Sequence, residues 1–465
     1  MTERADLVVV GGGTIGGWAA WFAATSGARR VIVLERGQVG MGASSRAAGI
    51  VRAQGGTPET VALGRWTIDF YRRQRELIGT DSGFRELGYL ILAVTEADER
   101  AGHERVAMQR SAGLDVRWLS ASEAVRAVPM LAPEGHRGGS FLDSDGCIDP
   151  ARNVRAYSLA LQAAGVEVRE GTALTGLRTA TGPDGGRRVV GVDTDAGPIE
   201  ADRVILTGGP GLAEVGRLAG TQVPVGATRH TVCVLEPARA FDVDRAPMVF
   251  DIGEGLYWRL EEGSLLFGWS NPDEPPGDAR SIDWPYHDRI RARLETLVPA
   301  VRGLGTRKIW AATIDYTPDH LPIIGSALGR DGGPIAGVTV ASAGGHGMMW
   351  GPALARAAAD LALDGRTDVV DLANLGLDRF DATGRSRIAP DPVALPFPVE
   401  TGGSDLGPQR NAEQQPPPPQ QPASPAMASN RGVSNGIDGS RIASGVQSAG
   451  FVARTIAPYR PSATA

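Results

Sequence analysis

Two cysteines in 465 residues, Cys147 and Cys233, are too few to staple a chain of this length, and neither falls in a Cys/His spacing that suits a metal. A disulfide scaffold and a metal site are set aside on that ground, and a reducing, cytoplasmic setting is expected. Long apolar runs are missing too. The stretch Leu7 to Ala24 is broken by five glycines and no basic segment precedes it, so neither a secretory signal nor a membrane span is expected. Charge of one sign is not in excess: the net value is −6, which offers no field for nucleic acid or anionic lipid. Lysine is almost absent, with Lys308 the only one, and aromatic residues make up 6%. Glycine is the contrary case. Its 63 residues are near twice the usual share of about 7%, a sign of tight turns and close backbone approaches, as in an enzyme that cradles a ligand.

At roughly 150 residues per domain the length suggests about three units. Composition shifts near Ile388, after which 13 of the 32 prolines fall, so residues 388–465 are expected to form a disordered Pro/Gln/Ser-rich tail. The remainder alternates strand and helix patterns at its start and hairpins in its middle. An α/β fold follows, with a parallel nucleotide-binding sheet built from 1–80, 145–215 and 310–387. A second, antiparallel sheet comes from 81–144 and 216–309 and makes the substrate domain. The clearest hairpin is Leu256–Leu260 with Leu265–Trp269.

The strand Leu7–Val10 runs into Gly11-Gly12-Gly13-Thr14-Ile15-Gly16, a G-x-G-x-x-G turn, and then into a helix to Ser26. Gly11 permits the turn, Gly13 lets a pyrophosphate reach the backbone, and Gly16 allows helix and strand to touch. The helix start, with Thr14 and Ile15, faces the phosphates. Glu35 ends the second strand, 19 residues past Gly16, where a carboxylate accepts from a ribose diol; Arg36 follows it. These features give a dinucleotide site but do not choose between a nicotinamide and a flavin.

The next segment chooses. Gly42-Ala43-Ser44-Ser45-Arg46-Ala47-Ala48-Gly49 resembles the G-A-[ST]-S loop of the D-amino acid oxidase, glycine oxidase and sarcosine oxidase superfamily. The likeness continues in Glu167–Leu177, with Leu174 at the adenine position. It extends to Thr207-Gly208-Gly209, where Gly211 replaces an aromatic, to Trp310–Gly325 with its Thr317-Pro318-Asp319, and to Gly344-Gly345-His346-Gly347-Met348. It spans Val8 to Ala359, and by motif it is similar to the sarcosine and dimethylglycine branch. The resemblance implies a Rossmann-like FAD-binding domain with an inserted substrate domain. Ser44, Ser45 and Arg46 would wrap the cofactor, and Gly208 and Gly345 to Met348 would line it. A helix from Ala353, with Pro352 at its first position, would point at the flavin pyrimidine ring. Relatives that attach FAD covalently do so at positions that fall on Ala312 and near Arg46, so noncovalent FAD is expected.

The implied reaction removes hydride from the carbon beside an amine nitrogen, delivers it to flavin N5 and gives an imine; the electrons pass to oxygen or another acceptor. A small amine or amino acid, N-methylated or of D configuration, is the expected substrate. The amino acid oxidase carboxylate arginine falls on Ile314, whereas the sarcosine branch places one at Arg52, which is either a substrate clamp or the partner of a structural acid. Tyr257 and Arg259 share one face of the hairpin and either meet the substrate or form a solvent-facing pair at a sheet edge. His346 either bonds the flavin or shapes its loop, and His230 is a core or surface histidine. The oxygen-activating lysine of some relatives falls near Leu266. A 2-hydroxy acid dehydrogenase and a flavin-binding subunit docked through the tail are the alternatives; with an inert tail, truncation of 388–465 leaves activity intact.

Overall fold

Leu7-Val8-Val9-Val10 is apolar on both faces, and such a strand needs cover on both sides. In the computed structural model, which describes residues 3–182, 185–243, 245–278 and 280–397, it is the middle of a five-stranded parallel ladder. In spatial order the ladder runs Pro334–Ser342, Val204–Leu206, Leu7–Val10, Val31–Glu35 and Glu167–Glu170. An antiparallel meander of Leu174–Thr181, Arg187–Thr194 and Gly197–Ala201 extends it. Val8, Val10, Ile32, Leu34, Val204 and Leu206 feed one core. Helices Thr14–Thr25 and Gly347–Asp364 pack on the ladder and on each other, joined by Pro58–Ile78 and Pro150–Ala163. The scarce aromatics gather between these helices: Trp18 meets Phe70, Trp21 and Tyr157 edge-on, with ring centres 5.0, 5.7 and 5.9 Å apart.

The second sheet has eight strands in the order Thr306–Tyr316, Gly226–Leu235, Ser264–Ser270, Leu256–Glu261, Met248–Asp251, Tyr89–Leu92, Gly139–Leu142 and Arg117–Leu119. It departs from the sequence expectation in two ways. It is not wholly antiparallel, because Met248–Asp251 and Tyr89–Leu92, from the two separate chain segments, run parallel where those segments are joined. Thr306–Tyr316 also pairs along its length with Gly226–Leu235, so residues 310–316 lie in this sheet rather than with the nucleotide-binding strands. The hairpin is as expected, turning at Glu262 and Gly263, both at positive φ, as a two-residue primed turn requires.

Two further expectations need correction. The helix after the His-Gly-Met loop starts at Gly347, five residues before Pro352, which lies inside it. Proline there removes the N–H that would reach the Met348 carbonyl, and the Tyr71 hydroxyl donates to that carbonyl instead at 3.1 Å. The composition boundary at Ile388 is also too early. Val393 and Phe397 are fully buried, so the chain stays packed to at least Phe397. The expected tail from 398 to 465 lies outside the described residues. No described helix is long and apolar enough to cross a membrane.

Candidate cofactor and substrate site

The turn into helix Thr14–Thr25 requires glycine at two places. Gly11 has φ +101°, and a Cβ at Gly16 would stand 1.8 Å from the Gly11 carbonyl oxygen. Gly13 precedes the helix and supplies no side-chain cap. Thr14 N–H donates to Ser44 Oγ at 3.0 Å, tying the Ser44–Ser45–Arg46 loop to the helix start. Ser45 N–H closes that loop on Gly40 O at 3.0 Å. The helix Gly347–Asp364 crosses at the same point, where a Cβ on Gly351 would lie 3.1 Å from Thr14 and 3.6 Å from Ile15.

Glu35 ends its strand as expected, one carboxylate oxygen accepting Gly12 N–H and the other Gly37 N–H, both at 2.8 Å, with lone pairs left for a diol. Arg36 lies over Gly211, within 3.4 Å of where a Cβ would be, and so fills the space in which the resemblance expects an aromatic. Thr207 Oγ1 bonds Val10 O at 2.6 Å and leads into Gly208. Leu174 is buried at the start of the meander. Arg46 is turned back on the carbonyls of Met41 and Gly42, and its own carbonyl accepts Trp310 Nε1–H at 2.9 Å.

Five described helices carry a side-chain cap, from Thr57, Thr95, Ser120, Asp149 and Asp283. Three do not: Thr14–Thr25, Leu212–Ala219 and Gly347–Asp364. All three open beside the residues just described, and their first-turn N–H groups are the natural partners of an anion. A Cβ at Gly42 or Gly347 would meet nothing within 4 Å among the described residues. Helix starts without an N-cap side chain, the first of them with Thr14 N–H held by Ser44 Oγ, stand beside open space and, with Glu35 at the neighbouring strand end, fit a dinucleotide with its pyrophosphate and an anionic reduced ring.

Between the sheets the polar groups are buried. Arg52 donates to the carbonyls of Gln54 and, at 2.6 Å, Val393, and forms no ion pair with a described carboxylate. Its turn is pinned by Asp145, which accepts Ala53 N–H at 2.6 Å and Gln54 Nε2 at 3.1 Å; burial pushes this carboxyl up to about 7. Tyr257 is buried in a central strand, not solvent-facing at an edge. Its hydroxyl lies 2.6 Å from His230 Nε2, while His230 Nδ1 lies 2.9 Å from Ser270 Oγ. Burial lowers His230 to about 4 and raises Tyr257. A neutral His230 carries one ring proton, so it donates to one of these two hydroxyls and accepts from the other. His346 donates from Nδ1 to Gly344 O at 2.9 Å; burial, with Arg52 nearby, lowers it to about 3. His346 is within electrostatic reach of Arg52 and of His230. Arg259 is buried, paired with Glu261 and bonded to Ala48 O at 3.0 Å, so it fastens the Ser44–Gly49 loop to the hairpin.

Residues 6–361 match the family described as DAO: FAD dependent oxidoreductase. The chain belongs to this FAD-dependent oxidoreductase family. The 4-methylaminobutanoate oxidase (formaldehyde-forming) of Paenarthrobacter nicotinovorans is 29% identical over 82% of the chain and 46% of its own length. The mitochondrial sarcosine dehydrogenase of Mus musculus is 27% identical over 70% of the chain and 36% of its own length. The chain thus spans less than half of these two relatives. The glycine oxidase of Geobacillus kaustophilus is 28% identical, and there the match covers 98% of the relative. Its crystal structure superposes with a TM-score of 0.69 at 26% identity, covering 82% of this chain and 100% of that one. L-proline dehydrogenase from P. horikoshii shares the fold, with a TM-score of 0.71 at 23% identity over 79% of this chain and 96% of that one.

For a DAO family enzyme, the structure brings the fingerprint, Ser44 and the Gly345–Met348 loop to one place, as the motifs implied. It also shows residues that sequence reasoning missed. Asn153 Nδ2 bonds Thr14 Oγ1 at 3.2 Å and Met348 Sδ at 3.6 Å, and Tyr157 donates to Gly12 O at 3.2 Å. The Asp149-Pro150 helix start was the available signal, since it sets Asn153 and Tyr157 four residues apart on one face.

Proposed function

We propose that this protein oxidises the C–N bond of a small amino acid or N-methyl amine bearing a carboxylate, using noncovalent FAD. The observation that carries the reading is the buried Arg52, a guanidinium held on two backbone carbonyls, one of them that of Val393, whose side chain packs in the same cluster as Tyr257. Three of the relatives are named for glycine, sarcosine and 4-methylaminobutanoate, amines that share a carboxylate. Bound FAD supplies the hydride acceptor, and the oxidised amine leaves as an imine that water hydrolyses.

Residues of the chain do the positioning. Arg52 takes the carboxylate through a planar fork, which fixes the reacting carbon. The Tyr257 oxygen accepts an N–H of the amine and is itself held by His230 Nε2, which orients the nitrogen; the neutral amine, with its lone pair available, is the form that reacts. The uncapped start of Gly347–Asp364 would offer its first-turn N–H groups, at Gly347 and Met348, to negative charge on bound flavin. Ala312 is buried and inert, and Arg46 is committed to its own loop, consistent with noncovalent attachment. Leu266 is buried in the cluster containing Tyr257, at the place of an oxygen-activating lysine, which favours slow transfer to oxygen and faster transfer to another acceptor.

The yellow protein is mixed anaerobically with sarcosine, 4-methylaminobutanoate, glycine and D-alanine, each beside its hydroxy acid counterpart. Bleaching by an amine and not by its hydroxy acid is expected, with slow return of colour in air; an outcome in which no amine bleaches removes the reading. Arg52→Gln should stay yellow and bind the bleaching substrate about 10–100-fold more weakly, the worth of a charge-assisted contact of about 1.5–3 kcal/mol.

A further inference from the structure

Residues beyond Ile388 lie on the side chains that the proposed function gives to substrate. The Val393 carbonyl is the neutral acceptor on Arg52 Nη2, at 2.6 Å. The Val393 side chain is buried in one cluster with Ala48, Tyr89, Tyr257 and Leu266, and Leu395 packs against its rim. Phe397 stacks on Tyr316 with ring centres 5.6 Å apart and meets His320 and His346 edge-on at 5.3 and 6.2 Å. Its ring is 2.8 Å from where a Cβ on Gly345 would stand, at the start of the helix assigned to the flavin ring. The segment therefore runs from Arg52 at Val393 to the Gly345-His346 loop at Phe397.

It is held there with little polar anchoring. Asp391 Oδ1 accepts Val393 N–H at 2.8 Å and Asp391 N–H reaches Asp319 O at 2.9 Å, while Asp391 Oδ2 is buried with no hydrogen-bond partner among the described residues. The Arg52–Val393 bond has a charged donor and a neutral acceptor; a carboxylate supplies a charged acceptor and a second, parallel bond, so at the guanidinium the exchange favours a substrate over the Val393 carbonyl.

We infer that Asp391–Phe397 is a self-occupant of the substrate cleft, a strap that a carboxylate substrate displaces from Arg52. The inference rests on the assignment of Arg52 as the clamp. Apparent substrate affinity is then lower than the intrinsic affinity by the fraction of molecules in which the strap is off.

The test uses FAD-loaded full-length protein, the same chain ended at Ile388, and full-length Phe397→Ala, which loosens the strap without shortening the chain. The probe is methylthioacetate, a carboxylate with no nitrogen to oxidise, titrated by calorimetry while flavin absorbance reports cofactor retention. Hydrogen exchange across residues 389–397 is followed with and without the probe. Both variants should bind the probe about tenfold or more tightly than the full chain, and the probe should speed exchange of the strap amides in the full chain. Equal affinity in all three forms, or unchanged exchange, overturns the strap and leaves the Arg52 assignment standing. Weaker binding by both variants makes the segment a wall of the pocket and also overturns it. No binding by any yellow form overturns the Arg52 assignment and the strap together.

Discussion

Burial sets the charge of the two histidines nearest the clamp. It lowers His230 to about 4 and His346 to about 3, and it raises the Tyr257 phenol. Across pH 5 to 9 none of the three changes charge; the groups that titrate are the substrate ammonium and the Asp145 carboxyl beneath the Arg52 turn, which burial pushes up to about 7. kcat/KM should therefore rise with pH along a limb placed by the amine itself, with any limb near pH 7 that is common to all substrates belonging to Asp145. Tyr257→Phe removes the oxygen that accepts the amine N–H but adds no titrating group. The expected result is a plateau lower by about 10² or more with the limb unmoved, measured by steady-state rates carried above the ammonium pKa of two amines of different basicity. A limb near pH 6.5 that is the same for both amines and vanishes in His230→Asn would assign the titration to His230.

At the scale of elements, the helix Gly347–Asp364 shows how a local rule is overridden. Proline favours the first turn of a helix, and the sequence around Pro352 reads that way. The structure begins the helix earlier because Tyr71, on Pro58–Ile78, supplies the donor that proline lacks. Tyr71→Phe should cost about 1–3 kcal/mol by leaving a buried carbonyl unpaired. In a Pro352→Ala background the alanine N–H serves Met348 O, so the cost of Tyr71→Phe should shrink there; urea unfolding of the four proteins measures the coupling. Identical costs in both backgrounds would mean that the tyrosine does not substitute for the missing N–H. The same contrast explains what was legible beforehand. Gly11, Gly16 and Glu35 are dictated by the backbone within one βαβ unit, so the cofactor end could be read from spacing. Asn153, Tyr71 and the His230–Tyr257 contact join residues far apart in the chain; the Asp149-Pro150 helix start marks the face that carries Asn153 but not its partner, and nothing local marks the other two. The strap was hidden by composition, since Pro392, Pro396 and their neighbours resemble the proline-rich stretch that follows.

At the scale of the whole molecule, Asp319 fastens the late part of the chain to the cofactor-binding sheet. Arg379 Nε and Nη2 meet its two oxygens at 2.7 and 3.0 Å, both side chains are buried, and Ser386 adds a hydroxyl at 2.6 Å. The Asp319 carbonyl also receives Asp391 N–H, at the head of the strap. Burial works to raise this carboxyl, but the Arg379 hydrogen bonds and charge, with Ser386, hold it below the ordinary carboxylate value of 3.8. The folded state thus keeps the carboxylate ionised where the unfolded chain begins to take a proton. Its stabilisation is complete above about pH 4–5 and is lost as pH falls through the folded value. Arg379→Met leaves a buried charge without its partner and should cost about 3–5 kcal/mol at pH 7. The sign of the pH dependence then reverses: the stranded carboxylate is relieved by protonation, so the deficit of Arg379→Met against the parent should narrow as pH falls from 7 to 4. Unfolding midpoints in urea at the two pH values measure it, and a deficit of equal size at both would show that Asp319 is not stranded by the loss of Arg379.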